Sequence, residues 1–189
     1  MINIIEGKDA IWETDNYDVV LIGTTIYNTL SNGFQAKIKS KYPAPSTAAE
    51  NYGGYGNRNK FGKRLTFEGS KPTLSFLFIA GYPNSRRVFL DYDALENCLA
   101  TANADFKGQH VMTTMLGCTR FDGNGDRDKV LGIFEETTRD IILDIYDYEQ
   151  LDKETERKIE LQKLRENDYE HYMSMGKNKN EFLKTLYLV

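Results

Sequence analysis

The sequence predicts an α/β fold: a three-layer α/β/α domain with a mixed central sheet and a C-terminal helical extension. Three observations predict it. Short β-branched and apolar runs recur along the first 147 residues, bounded by Gly, Asp and Asn, as buried strands require. Between several of them the apolar residues fall at three- and four-residue spacing, the mark of a one-sided helix. The run TLSFLFIA, residues 73–80, is apolar almost throughout and so predicts a strand covered on both faces. Strands alternating with helices place a sheet between two helical layers.

Taken in order, residues 2–5 (INII) and 18–23 (DVVLIG) read as strands. The connection between them, residues 7–17, is too short for a crossover helix. The two strands therefore either pair as neighbours or flank a helical turn around residues 9–13. A polar stretch of Thr, Asn, Ser and Gly leads into a helix, GFQAKIKSKY, which Pro43 and Pro45 are expected to end. Residues 44–62, with Gly53, Gly54, Gly56 and Gly62, show little periodicity and read as an excursion that could cover a site. Residues 64–67 and 73–80 are strands. A helix over residues 91–106 opens on an Asp cap and buries Leu95, Cys98, Leu99 and Ala102. A strand at 110–116, a glycine-rich loop, a helix at 126–140 and a strand at 141–146 complete the core. The domain is set at residues 1–150, and residues 151–189 form a charged helical extension with an apolar tail. The extension carries eight basic and eight acidic residues, and its long helix is expected to lie on the core or to pair two copies into a homo-oligomer.

Composition narrows the function. The chain has 24 Lys+Arg against 28 Asp+Glu, a net charge of -4, so its overall field repels nucleic acid. No apolar run approaches the length of a membrane span, and no basic-then-apolar leader opens the chain; a cytoplasmic location is expected. Cys98 and Cys118 have no metal-like spacing and make no disulfide framework. Neither a metal nor a cofactor is expected. Residues 122–133 suggest a calcium loop but carry Arg127 at its sixth position and Ile133 at its twelfth, where Gly and Glu are needed. His110 and His171 are the two histidines, and His110 reads as a strand-end residue rather than a catalyst.

Two strand-to-helix junctions carry the chemistry, because helix N-termini and strand ends present backbone N–H groups to anions. The first spans residues 23–35 and the second residues 117–125, GCTRFDGNG. Gly117, Gly123 and Gly125 would let the second backbone approach a phosphate without basic side chains, and Arg120 could add a guanidinium fork. Asp-Gly-Asn-Gly is equally ordinary turn chemistry. Neither junction matches a P-loop or a dinucleotide fingerprint.

In their order these pieces resemble the macro domain family. INIIEGKDAI resembles that family's first strand and Gly-Asp-Ile motif, spread here as Gly7, Asp9 and Ile11. VVLIGTTIYNTLSNGFQAKI resembles its Asn-bearing loop and following helix, and TMLGCTRFDG its phosphate loop. The resemblance covers about residues 1–147. It implies an ADP-ribose-like ligand, with Asp9 accepting from the adenine amino group and Ile11 lining the adenine pocket. Asn28, Asn32, Gly33 and Phe34 would border the distal ribose. Gly117, Cys118, Thr119, Arg120 and Phe121 would wrap the diphosphate. Asp9 reads equally as a helix N-cap. The chain departs from the family in having one glycine, Gly33, where the first loop normally has several, and in Cys118, Thr119 and Arg120 where small residues are usual. Its texture is similar to macro-like proteins of bacteriophages, which implies a role in the host cytoplasm, either in host metabolism or in countering NAD-derived defence signals.

Three functions follow. The first is a module that captures ADP-ribose or a derived nucleotide. The second is a hydrolase of ADP-ribosyl or ADP-ribose 1''-phosphate bonds, with Asn28 or Asp122 positioning water. The third is an assembly protein acting through its C-terminal helix. The single-glycine first loop and the scarcity of histidine favour capture.

Overall fold

The computed structural model describes residues 1–27, 29–31, 33–69, 71–81, 88–119 and 123–147. The expected extension and apolar tail, residues 151–189, lie outside the described residues. The core begins with β1 (Ile2–Glu6). Two 3-10 turns, Ala10–Trp12 and Thr14–Asn16, then lead to β2 (Val19–Thr25). Helices α1 (Gly33–Lys41) and α2 (Pro43–Asn51) and a third 3-10 turn, Arg58–Lys60, precede β3 (Arg64–Phe67) and β4 (Thr73–Ala80). The chain continues through α3 (Tyr92–Asp105), β5 (His110–Thr114), α4 (Arg127–Thr137) and β6 (Ile142–Asp147).

The six strands form one mixed sheet in the order β1-β6-β5-β2-β4-β3. Neighbours are parallel throughout except β3, which runs antiparallel to β4. Successive side chains alternate between faces, and each face buries its own cluster. Val19, Leu21, Leu77, Ile79, Val111, Leu143 and Ile145 pack under α3 and α4. Val20, Ile22, Leu74, Phe76, Met112 and Tyr146 pack under the first turns, α1 and α2. This is the three-layer arrangement that the sequence predicts. Each fully buried Leu, Ile or Phe stabilises it by about 1.5–3 kcal/mol.

Helix α3 follows its predicted logic closely. The Asp91 carboxylate accepts from the Ala94 N–H at 2.9 Å, and Leu95, Cys98, Leu99 and Ala102 form the buried stripe. The first connection resolves to the turn alternative, since β1 pairs with β6 and not with β2.

Two expectations are corrected. Helix α1 ends at Lys41, ahead of Pro43 as expected, but Pro43 and Pro45 then open a second helix where an irregular excursion was expected, because proline at the first helical turn gives up an N–H that would have no intrahelical acceptor. Ser46 and Ala49 face the core, and the excursion therefore begins only at Tyr52. The fifth strand ends at Thr114, short of 116, while β2 runs on to Thr25. The strand pairing explains both limits, as described below.

Candidate functional site

All five parallel strands end on one edge of the sheet, so the loops that follow β1, β2, β4 and β5 gather there. The chain leaves β2 for α1, whose Ile38 packs on one face, and leaves β5 for α4, whose Val130 and Phe134 pack on the other. Adjacent strands with connections to opposite faces create a crevice between their loops. Hydrogen-bond pairing opens it further. β2 and β5 are in register only at Val19 with Val111 and Val20 with Met112. Beyond that point β2 stays with β4 as far as Ala80, and β5 stays with β6 as far as Tyr146. A side chain spans the gap, with the buried Thr113 hydroxyl donating to the Leu21 carbonyl at 3.1 Å.

The floor is formed where Gly23 meets Leu116. A Cβ at Gly23 would lie 3.0 Å from Leu116 Cδ2 and 3.1 Å from Ile79 Cδ1, so glycine lets these side chains close over the strand. The Gly23 carbonyl accepts from Gln35 Nε2 at 2.6 Å, which ties α1 to the floor. On the β2 side, Ile26 N–H donates to the Ala80 carbonyl at 2.9 Å and Tyr27 N–H to Thr25 Oγ1 at 3.2 Å. Gly33 begins α1 with φ +51 and open space where a Cβ would stand, and Phe34 is half-buried against the face cluster. Asn28 and Asn32 lie outside the described residues.

On the β5 side the glycines close the loop on itself. Gly125 N–H donates to the Gly117 carbonyl at 2.8 Å, Asn124 N–H to the Thr119 carbonyl at 2.8 Å, and Leu90 N–H to the Gly123 carbonyl at 3.0 Å. Gly117 has φ +69, and a Cβ there would meet Leu90 Cδ1 at 2.6 Å. Close packing of backbone on backbone and on Leu90 therefore demands these glycines. Cys118 and Thr119 are half-buried on this loop. Arg120, Phe121 and Asp122 lie outside the described residues.

Asp9 follows β1 on the same edge. One carboxylate oxygen accepts from Ile11 N–H at 3.4 Å and caps the first turn, and the other forms an ion pair with Lys37 of α1. Ile11 is buried in the cluster under α1. The topology thus brings Asp9, Ile11, Gly33, Phe34, Gly117, Cys118 and Thr119 to one edge. Sequence reasoning missed two features of that edge. Arg127, which opens α4, pairs with the buried Asp147 that ends β6. Lys37 reaches Asp9 from 28 residues away, a pairing that no local pattern signals.

His110 begins β5 at the opposite edge, where it faces Asp144 through Nε2 at 3.1 Å. Burial raises the pKa of the Asp144 carboxyl, but donated hydrogen bonds from Asn3, Tyr17 and His110 outweigh it and hold the group below its ordinary value. The Cys98 thiol is pushed up to about 12 by burial, which makes it inert. A recess of 580 Å³ also lies at the opposite edge, lined by Thr66, Glu68, Thr73, Asp105, Phe106 and Gln109. Its Glu68 carboxylate, beside the Arg64–Asp105 ion pair, leaves no net positive charge there for a diphosphate. Among the described residues no cluster of three or more His, Cys, Asp or Glu could hold a metal, and no helix is long and apolar enough to cross a membrane.

The fold is a three-layer α/β domain whose parallel strands leave a crevice at the carboxyl edge of the sheet. Its particular form is the macrodomain fold, as solved structures show. A protein of unknown function from Bacteroides thetaiotaomicron superposes with a TM-score of 0.64 at 18% identity, over 78% of this chain and 98% of that one. The macrodomain of Mycobacterium tuberculosis DarG gives 0.56 at 18% identity, over 76% and 97%. Thermosipho africanus DarTG in complex with ADP-ribose gives 0.59 at 13% identity, over 77% of this chain and 41% of that one. No protein-family profile and no curated protein matches the sequence.

Proposed function

We propose that the chain binds ADP-ribose, or a nucleotide derived from it, at the carboxyl edge of the sheet. The observation that carries this reading is the crevice opened where β2 and β5 part, with loops leaving to opposite faces. It is supported by the likeness of the fold to a protein whose structure holds ADP-ribose. In this reading Asp9 accepts from the adenine amino group while the Lys37 ion pair holds its carboxylate in place, and Ile11 walls the base. The loop from Gly117 to Thr119 follows the diphosphate, with Arg120 and Phe121 continuing it. Gly33, Phe34, Asn28 and Asn32 border the distal ribose. Capture of a free NAD-derived nucleotide needs only these groups.

Thermal melting with and without ADP-ribose tests the proposal. A ligand at a hundredfold excess over Kd stabilises by about 2.7 kcal/mol, which is roughly 5–10 °C for a chain of this size. No shift at millimolar ligand overturns it. Product analysis of a parallel mixture with ADP-ribose 1''-phosphate separates capture, which returns it intact, from hydrolysis through Asn28 or Asp122, which adds water across the ester and releases ADP-ribose and phosphate.

A further inference from the structure

β3 ends the sheet on the side away from β1, and among the described residues no strand pairs with its outer side. Antiparallel neighbours alternate between residues that exchange both backbone hydrogen bonds and residues that exchange none. Phe78 N–H donates to the Lys63 carbonyl at 3.0 Å, and the register continues with Leu65 opposite Phe76 and Phe67 opposite Leu74. These alternate residues therefore bond to β4. Non-bonded pairs bring their side chains closest, and Thr66 Oγ1 accordingly lies 3.0 Å from Ser75 Oγ. Arg64 and Thr66 turn their N–H and C=O groups outward, and Glu68 follows at the next step of the same alternation. Such a row is an open template for another strand.

The side chains on this edge divide by face. Leu65 and Phe67 are partly buried against the cluster under α1 and α2. On the α3 face the Arg64 guanidinium pairs with Asp105, donates to Thr101 Oγ1 at 2.9 Å and lies 5.3 Å from the centre of the Phe106 ring. Recesses of 580 and 430 Å³ flank Asp105 there, and the exposed Glu68 lines the larger.

We infer that β3 is the docking edge for a second copy of this chain, paired antiparallel about a twofold axis at Thr66. A contact of this kind needs a self-complementary edge, because the strand meets its own sequence reversed. With Thr66 opposite Thr66 of the copy, Arg64 stands opposite Glu68 and Leu65 opposite Phe67. Opposite charges, apolar pairs and Thr–Thr pairs each favour cross-strand pairing. The same register joins the outward backbone groups of Arg64, Thr66 and Glu68 to one another. Space allows it as well. Strands pair about 4.8 Å apart, so β4 and its copy would stand about 14 Å apart. α3 packs on β4, and two helices of about 10 Å diameter fit side by side at that separation. The axis stands normal to the sheet, so the two carboxyl edges face opposite ways and both crevices stay open. β3 is only four residues long, which makes the contact a weak one that depends on protein concentration.

Sedimentation velocity of the full chain from micromolar to millimolar concentration tests this, and a monomer–dimer equilibrium is expected. Thr66→Pro removes the outward N–H at the axis and leaves the bonds to β4 in place, so it abolishes the dimer while circular dichroism shows a folded chain. Glu68→Lys sets like charges at both ends of the pairing and weakens the dimer about tenfold or more. Thr66→Cys gives a positive test that needs no loss of stability. In a bonded antiparallel pair the Cα atoms stand about 5.5 Å apart, within disulfide reach, so diamide cross-links this variant into a covalent dimer. Glu68→Cys, whose two copies stand about 14 Å apart, cross-links far more slowly, as does the wild type with Cys98 and Cys118. A chain that stays monomeric at millimolar concentration overturns the inference and leaves the edge to another occupant. So does a dimer that survives both Thr66→Pro and Glu68→Lys, or one that cross-links no faster through Thr66→Cys than through Glu68→Cys. ADP-ribose affinity is the same in monomer and dimer, so these outcomes stand apart from the ligand reading.

Discussion

A single methyl group at Gly117 probes the loop that shapes the β5 side of the crevice. Gly117 has φ +69, and left-handed backbone costs a non-glycine residue about 1–2 kcal/mol. The new Cβ would also stand 2.6 Å from Leu90 Cδ1, 3.0 Å from Cδ2 and 3.1 Å from Cγ. Leu90 is buried, and forcing extra atoms into a packed core costs about 1–3 kcal/mol. Gly117→Ala should therefore destabilise the protein by roughly 2–5 kcal/mol, a fall in Tm of about 4–20 °C at this chain length. Urea and thermal melts of Gly117→Ala, Leu90→Ala and the double variant separate the two causes. In the Leu90→Ala background the clash is relieved, so the Gly117→Ala increment should shrink to the backbone cost of about 1–2 kcal/mol. A Gly117→Ala protein that melts within about 1 °C of wild type would refute both the backbone and the packing argument.

Asp144 gives a pH prediction. Because its folded pKa is depressed, its contribution is fully present above the unfolded carboxylate value of about 4 and is lost as pH falls through the folded value. Asp144→Asn should be destabilised at pH 7 and nearly level with wild type near pH 2, as read from urea midpoints across that range. Asp9→Asn keeps a cap acceptor but loses the charge. It should weaken ADP-ribose by about 1–3 kcal/mol and leave ribose 5-phosphate unchanged, as measured by parallel titrations. Deleting residues 177–189 should alter solubility or oligomeric mass, read by light scattering, while ADP-ribose affinity stays constant.

Several features were legible from the sequence because their causes are local. The stripe Leu95, Cys98, Leu99 and Ala102 and the Asp91 cap specify α3 within one stretch of chain, and the apolar run from Thr73 to Ala80 specifies a strand covered on both faces. The Asp9 cap was also readable, two residues from the N–H it accepts. Helix α2 escaped because its two prolines read as terminators, although their position in the first turn makes them initiators. The crevice escaped because strand order is set by pairings across the whole chain, such as Ile2 with Leu143. The same holds for Lys60, whose burial depends on Phe78 of a distant strand, and for Arg127, which finds Asp147 from 20 residues away.

Calorimetric titration of the wild-type chain with ADP-ribose tests the central claim most directly. A ligand held in a crevice between the β2 and β5 loops should give a saturable isotherm with one site per chain. A flat isotherm at millimolar ADP-ribose, with the protein shown to be folded, would contradict the account.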